Sequence, residues 1–259
     1  MNLVQVERHP RGIVRVIMNH ADARNALGEA LRGDLMATLS TLLTDRATRV
    51  VIIASALKDF SVGGDLSRMD ALTDPKAGRQ RLLAAHPLAR LLLATEKPLI
   101  AEVRGHAVGA GAGLALICDT IVMGEDANIG FGFLRVGLAP DFAIGFTLPR
   151  RIGLARARQA LLYARNFRGK QAGEIGLADD VVPAAEVAAR AMERAQELAA
   201  MPSLAVGLTK RMLERADDAS AVLDFEAAAQ PVCFASDDFA EGLAAFREKR
   251  PPRFDPDVE

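Results

Sequence analysis

Two runs of apolar residues, Val50-Val51-Ile52-Ile53-Ala54 and Pro98-Leu99-Ile100-Ala101-Glu102-Val103, are each followed by a glycine-bearing segment. The first leads to Lys58-Asp59-Phe60-Ser61-Val62-Gly63-Gly64-Asp65-Leu66 and the second to Gly105-His106-Ala107-Val108-Gly109-Ala110-Gly111-Ala112-Gly113-Leu114. A short continuous apolar run bounded by turn residues predicts a strand covered on both faces. Glycines at its end allow backbone paths closed to other residues, so that main-chain N–H groups can point at one spot. The second glycine run also opens an apolar helix, whose unpaired N–H groups and dipole favour negative charge.

The rest of the chain extends this alternation. Val4 and Val6, then Ile13 to Met18, are β-rich runs separated by His9-Pro10-Arg11-Gly12, the punctuation of a hairpin. Leu27, Leu31, Leu35, Leu39 and Leu42/Leu43 recur at helical steps and predict an amphipathic helix, and a leucine-rich segment runs from Leu82 to Leu93. Thr120-Ile121-Val122-Met123 follows the second glycine helix, which ends near Cys118. Alternating elements of this kind predict an α/β core with helices packed on sheet. Beyond Pro183 the sequence turns to Ala, Glu, Arg and Leu at helical spacing, broken at Pro202, Asp217-Asp218 and Ser236-Asp237-Asp238. The expected division is an α/β core over 1–195 and a helical oligomerisation region over 196–259.

Composition narrows the function classes. The 259 residues carry 32 Lys+Arg and 33 Asp+Glu for a formal charge of −1, and a chain that tracks nucleic-acid phosphates needs a basic excess. No uncharged apolar run approaches the roughly 20 residues that span a bilayer, and Glu7, Arg8 and Arg11 interrupt the N-terminus. The expectation is a cytoplasmic protein without a targeting segment, a membrane partner or a nucleic-acid partner. Cys118 and Cys233 supply no disulfide framework and are expected to be small buried hydrophobes. His9, His20, His86 and His106 show no metal-ligand spacing, so no metal is expected. Ser61 has no paired His and Asp in a nucleophile motif. The G-x-G-x-G spacing from Gly109 to Gly113, in mid-chain and without a placed ribose-binding acid, is a poor match to the G-x-G-x-x-G dinucleotide fingerprint.

Taken together, the two glycine segments, Arg24-Asn25-Ala26-Leu27 and the C-terminal stretch from Phe239-Ala240-Glu241-Gly242 to Arg253-Phe254 resemble the enoyl-CoA hydratase/isomerase (crotonase) family over nearly the whole chain. That resemblance implies an α/β spiral of ββα units with a helical C-terminal trimerisation region, assembled as a homotrimer or a dimer of trimers. It also implies a coenzyme A thioester as substrate and no cofactor beyond the CoA it carries. By motif position the N–H groups of Val62 and Ala110 form an oxyanion hole, where the family usually has alanine and glycine. Fixed donors at such a hole stabilise a thioester enolate, and removing one typically costs roughly 3–4 kcal/mol.

The carboxylates choose the reaction. Where hydratases of the family usually carry two water-activating glutamates, this chain has Gly113 and Phe133. Neither moves a proton, and Phe133, lining the acyl site, also excludes water. Further on, Gly137-Leu138-Ala139-Pro140-Asp141-Phe142 is similar to the Pro-Asp loop of the isomerase branch, in which the aspartate is the acid/base. The apolar neighbours Phe131, Phe133, Phe142 and Ile144 are expected to raise the pKa of Asp141. A Pro-Asp pair is also suited to capping the next helix.

By the same resemblance Arg24 meets the nucleotide part of CoA, with Ala26, Asp65 and Leu66 nearby. Phe246 and Lys249 of a neighbouring subunit close the pocket and reach the phosphates, although a basic helix end is also an ordinary solvated feature. Met69 to Ala85 helps wall the acyl pocket. Asp119 and His106 are expected to be structural, Asp119 as a buried hydrogen-bonding group, and Glu102 and Glu125 to be sheet-edge or surface charges. The expected activity is an enoyl-CoA isomerase. The alternatives are hydration or another reaction of the family, with Asp141 orienting water, and a non-catalytic acyl-CoA binding subunit.

Overall fold

The computed structural model describes residues 2–65 and 74–254. Nine strands and ten α-helices are seen among them. β1 (Val4–His9) and β2 (Ile13–Met18) form the antiparallel hairpin that Pro10 and Gly12 predict, with Val4 opposite Met18 and His9 opposite Ile13. α1 (Glu29–Thr44) buries Leu31, Leu35, Leu39 and Leu42, the stripe read from the leucine spacing. β3 (Val50–Ser55), α2 (Pro75–Ala94) and β4 (Leu99–Val103) follow. Asp74 caps α2 by accepting from the N–H groups of Lys76 and Ala77, ahead of a proline at the first helical position.

The glycine segment after β4 is not a plain turn. His106–Val108 is a strand, β5, before α3 (Ala110–Ile117) and β6 (Thr120–Gly124). β5 pairs with β7 (Asn128–Gly130), which pairs with β8 (Asn166–Arg168), giving a second sheet of three strands. The main sheet has six strands in the order β1-β2-β3-β4-β6-β9, where β9 is Asp180–Val182, and it is parallel throughout except for the hairpin. A parallel bridge between Ser61 and Ala107 ties the loop after β3 to the second sheet. α4 (Ile144–Ile152), α5 (Leu154–Leu162) and α6 (Gly169–Glu174) complete this region.

Both faces of the main sheet are covered, which is why β3 reads as an unbroken apolar run. Val51 and Ile53 join the core formed with α1, α2 and α3, while Val50 and Ile52 pack with Ile13, Ile100 and Val122 under α7 (Val187–Ala199). α7 meets the sheet through Val187, Ala191, Ala195 and Ala199, four small residues at four-residue steps. Full burial of a Val or Ile side chain contributes roughly 1.5–3 kcal/mol. The 195/196 division falls inside α7. α8 (Ser203–Leu213), α9 (Ala219–Phe234) and α10 (Asp237–Glu248) follow, with Asp218 and Ser236 as side-chain caps at the breaks read from the sequence.

Several expectations are corrected by the fold. Glu102 is not a sheet-edge charge: β4 is central, Glu102 is buried, and its Oε2 accepts from Arg15 Nη2 at 2.8 Å. Asp119 is a structural hydrogen-bonding group, accepting from the Leu99 N–H and Lys210 Nζ, but it is exposed rather than buried. Cys118 is buried among apolar groups, which pushes its thiol up to about 12, whereas Cys233 is only half-buried. No described helix is long and apolar enough to cross a membrane.

Candidate active site

Val62, Ala110, Phe133 and Asp141, far apart in sequence, line one cavity of about 170 Å3 together with Gly64, Gly109, Val136 and Leu138. The donor wall is held by backbone contacts. Ser61 N–H donates to His106 O at 2.9 Å and Val108 N–H to Ser61 O at 3.0 Å, so the loop after β3 is stitched to β5. α3 then approaches so closely that a Cβ at position 111 would stand 2.6 Å from the Ser61 Cβ. Gly109, with φ 54° and ψ −127°, takes the strained turn into α3, and Ala110 occupies the first helical position with ordinary angles. Alanine at 110 thus costs nothing in backbone geometry, and its N–H is one of the four that a helix leaves without an intrahelical partner. The Val62 N–H donates to the Arg24 carbonyl at 3.4 Å, a long bond.

Behind Val62 a polar network fixes the loop. Asn25 is buried, donating Nδ2 to Ser55 Oγ at 2.8 Å and to Phe60 O at 3.2 Å. Ser61 Oγ donates to Asn25 O at 2.6 Å and accepts from the Gly63 N–H at 3.2 Å. Arg24 and Asn25 both have positive φ, 49° and 55°, a costly arrangement held only because the surroundings over-determine it. Asp59, with 7% of its surface exposed, takes Arg24 Nη2 at 2.6 Å and Nε at 3.2 Å on one oxygen, and the backbone N–H and Nδ1 of His106 at 3.1 and 2.8 Å on the other. Although burial opposes it, the two partners hold the Asp59 carboxyl below its ordinary pKa. Its role was missed in the sequence; the only signal was an acid four residues before the glycine pair Gly63-Gly64.

A groove of about 670 Å3, lined by Arg24, Ala26, Gly28 and Asp65, shares Val62 and Gly64 with the cavity. The expected CoA positions Arg24, Ala26 and Asp65 therefore converge next to the expected oxyanion donors. Leu66, and Met69 to Thr73 of the expected acyl wall, lie outside the described residues. Phe246 and Lys249 do not reach the cavity within the chain. Phe246 is 82% exposed on α10 and lines a separate apolar cavity of about 360 Å3 with Leu204, Phe239, Leu243 and Phe254, while Lys249 ends that helix with φ 54°. The neighbouring Arg250 is no free basic end: it grips Glu241 with two bonds of 2.6 and 2.8 Å, holding the Glu241 carboxyl down at about 2.

The acid, Asp141, lines the same cavity. Asp141 does not cap α4; that helix begins after Ala143 without a side-chain cap. One Asp141 oxygen, Oδ1, is buried with no hydrogen-bond partner among the described residues. Burial raises the Asp141 pKa, the direction expected from its phenyl and isoleucyl neighbours, against the opposing charges of Arg81, Arg32 and His86. The two positions where hydratases of the family carry glutamates are closed. A Cβ at position 113 would meet the Phe142 carbonyl oxygen at 2.8 Å and its Cβ at 2.9 Å, and the Phe133 ring packs against Gly109.

The comparisons with known proteins agree with this architecture. The model of the enoyl-CoA hydratase/isomerase family matches residues 8–257. The 2,3-dehydroadipyl-CoA hydratase of Escherichia coli is 32% identical over 259 residues, covering 98% of this chain and 99% of that protein. The mouse mitochondrial enoyl-CoA hydratase domain-containing protein 2 is 34% identical, covering 94% of this chain and 84% of that protein. The crystal structure of an enoyl-CoA hydratase from Bacillus anthracis superposes with a TM-score of 0.91 at 28% identity, over 98% of this chain and 99% of that one. With its two-sided sheet, its glycine-built donor wall and a family match that runs almost end to end, the chain belongs to the enoyl-CoA hydratase/isomerase family.

Proposed function

We propose that this member of the family is an enoyl-CoA isomerase that shifts a double bond through a thioester enolate, with no cofactor beyond the CoA of its substrate. The observation that carries the reading is Asp141: one carboxyl in the same cavity as Val62 and Ala110, with a buried oxygen that has no hydrogen-bond partner among the described residues and a raised pKa. Asp141 takes a proton from the carbon next to the thioester carbonyl of a 3-enoyl thioester. The electron pair moves onto the carbonyl oxygen, where the two N–H groups stabilise it. The same carboxylic acid then returns the proton two carbons further along, the double bond moves into conjugation, and nothing is gained or lost overall. Closure of positions 113 and 133 removes the two sites from which family hydratases hold water.

Hydration is the second reading, favoured by the names of the relatives, with Asp141 orienting the water. The test is incubation with a 2-enoyl-CoA and its 3-enoyl isomer, following product mass and conjugated-thioester absorbance, with Asp141→Asn in parallel. Interconversion at constant mass that the variant abolishes is expected. A mass gain of one water would establish hydration instead, and CoA binding without turnover would leave a binding subunit. The cytoplasm is the proposed location. A homotrimer or dimer of trimers is the proposed assembly, with the exposed Phe246 ring and Lys249 closing a neighbour's groove. A monomer in light scattering that retains full CoA affinity would remove that part of the proposal.

A further inference from the structure

Asp59 lines neither the cavity nor the groove, but it holds both neighbours of the loop that does. Its side chain is buried, whereas its partners Arg24 and His106 are exposed. Oδ2 accepts from Arg24 Nη2 at 2.6 Å and Nε at 3.2 Å, and Oδ1 accepts from the His106 backbone N–H at 3.1 Å with His106 Nδ1 at 2.8 Å. These two residues are also the ones whose carbonyls take the loop's amides. Ser61 N–H donates to His106 O at 2.9 Å, and Val62 N–H donates to Arg24 O at 3.4 Å. The backbone of two successive residues is thus tied to two segments that a single carboxylate fixes.

The surroundings are shaped for that carboxylate. Gly105 has φ 55°, and a Cβ there would stand 2.6 Å from Asp59 Oδ1, so the turn into β5 leaves room for the oxygen. Burying a carboxylate is costly unless charged and hydrogen-bonding partners offset it. All four donors come from the two segments flanking the Val62 loop, and they hold the Asp59 carboxyl in its charged form. Arg24, at φ 49°, needs such a restraint to keep its carbonyl in place. A hydrogen-bond donor at a reacting carbonyl loses its effect when it is misplaced by a fraction of its length.

We propose that Asp59 is a positioning residue for the Val62 N–H: it holds Arg24 and His106 in a fixed relation, so that the loop between them keeps this donor aimed at the thioester carbonyl. The proposal rests on the cavity being the thioester site, with Val62 and Ala110 as its donors. A carboxylate is required because it accepts on both oxygens at once. An amide of the same size offers one acceptor and turns its own N–H groups toward either Arg24 or His106.

Infrared difference spectroscopy on the whole protein, saturated with hexanoyl-CoA isotopically labelled at the thioester carbonyl, reads this without turnover. The wild type is expected to move the carbonyl band to lower frequency. Two donors share that oxygen, so Asp59→Asn is expected to lose about half of the shift. His106→Ala, which keeps the backbone bond and changes an exposed ring, is expected to fold and to lose a smaller part; it decides the matter if Asp59→Asn does not fold. Asp180→Asn is the control, since Asp180 also holds two arginines, Arg190 and Arg194, but on the edge strand β9. It is expected to melt earlier and to keep the full shift. A full wild-type shift in folded Asp59→Asn or in His106→Ala overturns the proposal, and so does an equal loss in Asp180→Asn, which would mean general loosening. No shift in the wild type would remove Val62 and Ala110 as donors and this proposal with them, whereas the first two results overturn the role of Asp59 alone.

Discussion

Val62 and Ala110, the proposed N–H donors, come to the cavity from the loop after β3 and the start of α3, whereas Gly132, Phe133, Val136, Leu138 and Asp141 come from one later stretch and include a single ionisable lining residue among those described, Asp141. The donor wall is made by chain path: Ser61 bonds His106 and Val108, and α3 can approach only because Gly111 has no side chain. Side-chain identity at positions 62 and 110 is secondary there, which is how valine and alanine can stand where the family usually has alanine and glycine. The acid wall is the reverse. Its backbone matters chiefly for placing Asp141, and in the proposed reaction the chemistry sits in that carboxyl, whose ionisation burial makes costly. On the proposed roles, one wall is expected to tolerate side-chain change but not backbone displacement, and the other to tolerate no change at Asp141.

That contrast is broken most directly at Asp141. Asp141→Asn is expected to lower kcat by roughly 10²–10⁴, with CoA affinity within a few-fold of wild type; equal losses in kcat and in CoA affinity would make Asp141 structural. Gly111→Val strikes the other wall. Its first side-chain atom would stand 2.6 Å from Ser61 Cβ, and an overpacking cost of about 3 kcal/mol should appear in denaturant unfolding, together with loss of turnover. Ala110→Gly, which keeps the N–H, is expected to change kcat less than about threefold, and a large loss would show that the wall depends on side chains after all.

Where the walls touch, Gly113→Glu restores the glutamate usual in family hydratases but drives its Cβ against Phe142. The expected result is destabilisation of about 1–3 kcal/mol and no gain of hydration, read by melting and by product mass.

The smallest effect concerns pH. Asp141 has a raised folded pKa, so its contribution to stability is fully present below the ordinary carboxylate value and is lost as pH rises through the folded pKa. Asp141→Asn removes that loss and should stabilise the protein above this range, read as a higher denaturant midpoint. The groups facing the carboxyl are Arg32 on α1 and Arg81 and His86 on α2, all of which oppose the rise. In the wild type, kcat/KM should fall on acidification with a midpoint above that of an ordinary aspartate, because the base must be ionised. A midpoint at the ordinary value would mean the carboxyl is solvated during turnover.

Elements with strong local patterns were legible before the fold was known. The leucine stripe of α1, the apolar runs of β3 and β4, the hairpin at Pro10-Gly12 and the breaks before α8, α9 and α10 all follow from neighbours within a few residues. β5 was not legible, since three residues inside a glycine run carry no periodicity and become a strand only by pairing with Asn128–Gly130. The same limit hid the burial of Glu102, which depends on the order of strands in the sheet, and the clasp of Asp59 on Arg24 and His106, which joins three separate segments.

The sequence by itself determined the family, the α/β class and which residue types are present for chemistry: glycine runs that allow converging N–H groups, and an aspartate after proline where two glutamates are missing. The packed fold set which of these groups share a cavity, that Asp141 Oδ1 has no hydrogen-bond partner among the described residues, and that Phe142 leaves no room at position 113. Strand and helix propensity are local and can be read along the chain. Burial, desolvation and electrostatic pairing depend on distances between residues remote in sequence, and only the packed fold sets those distances.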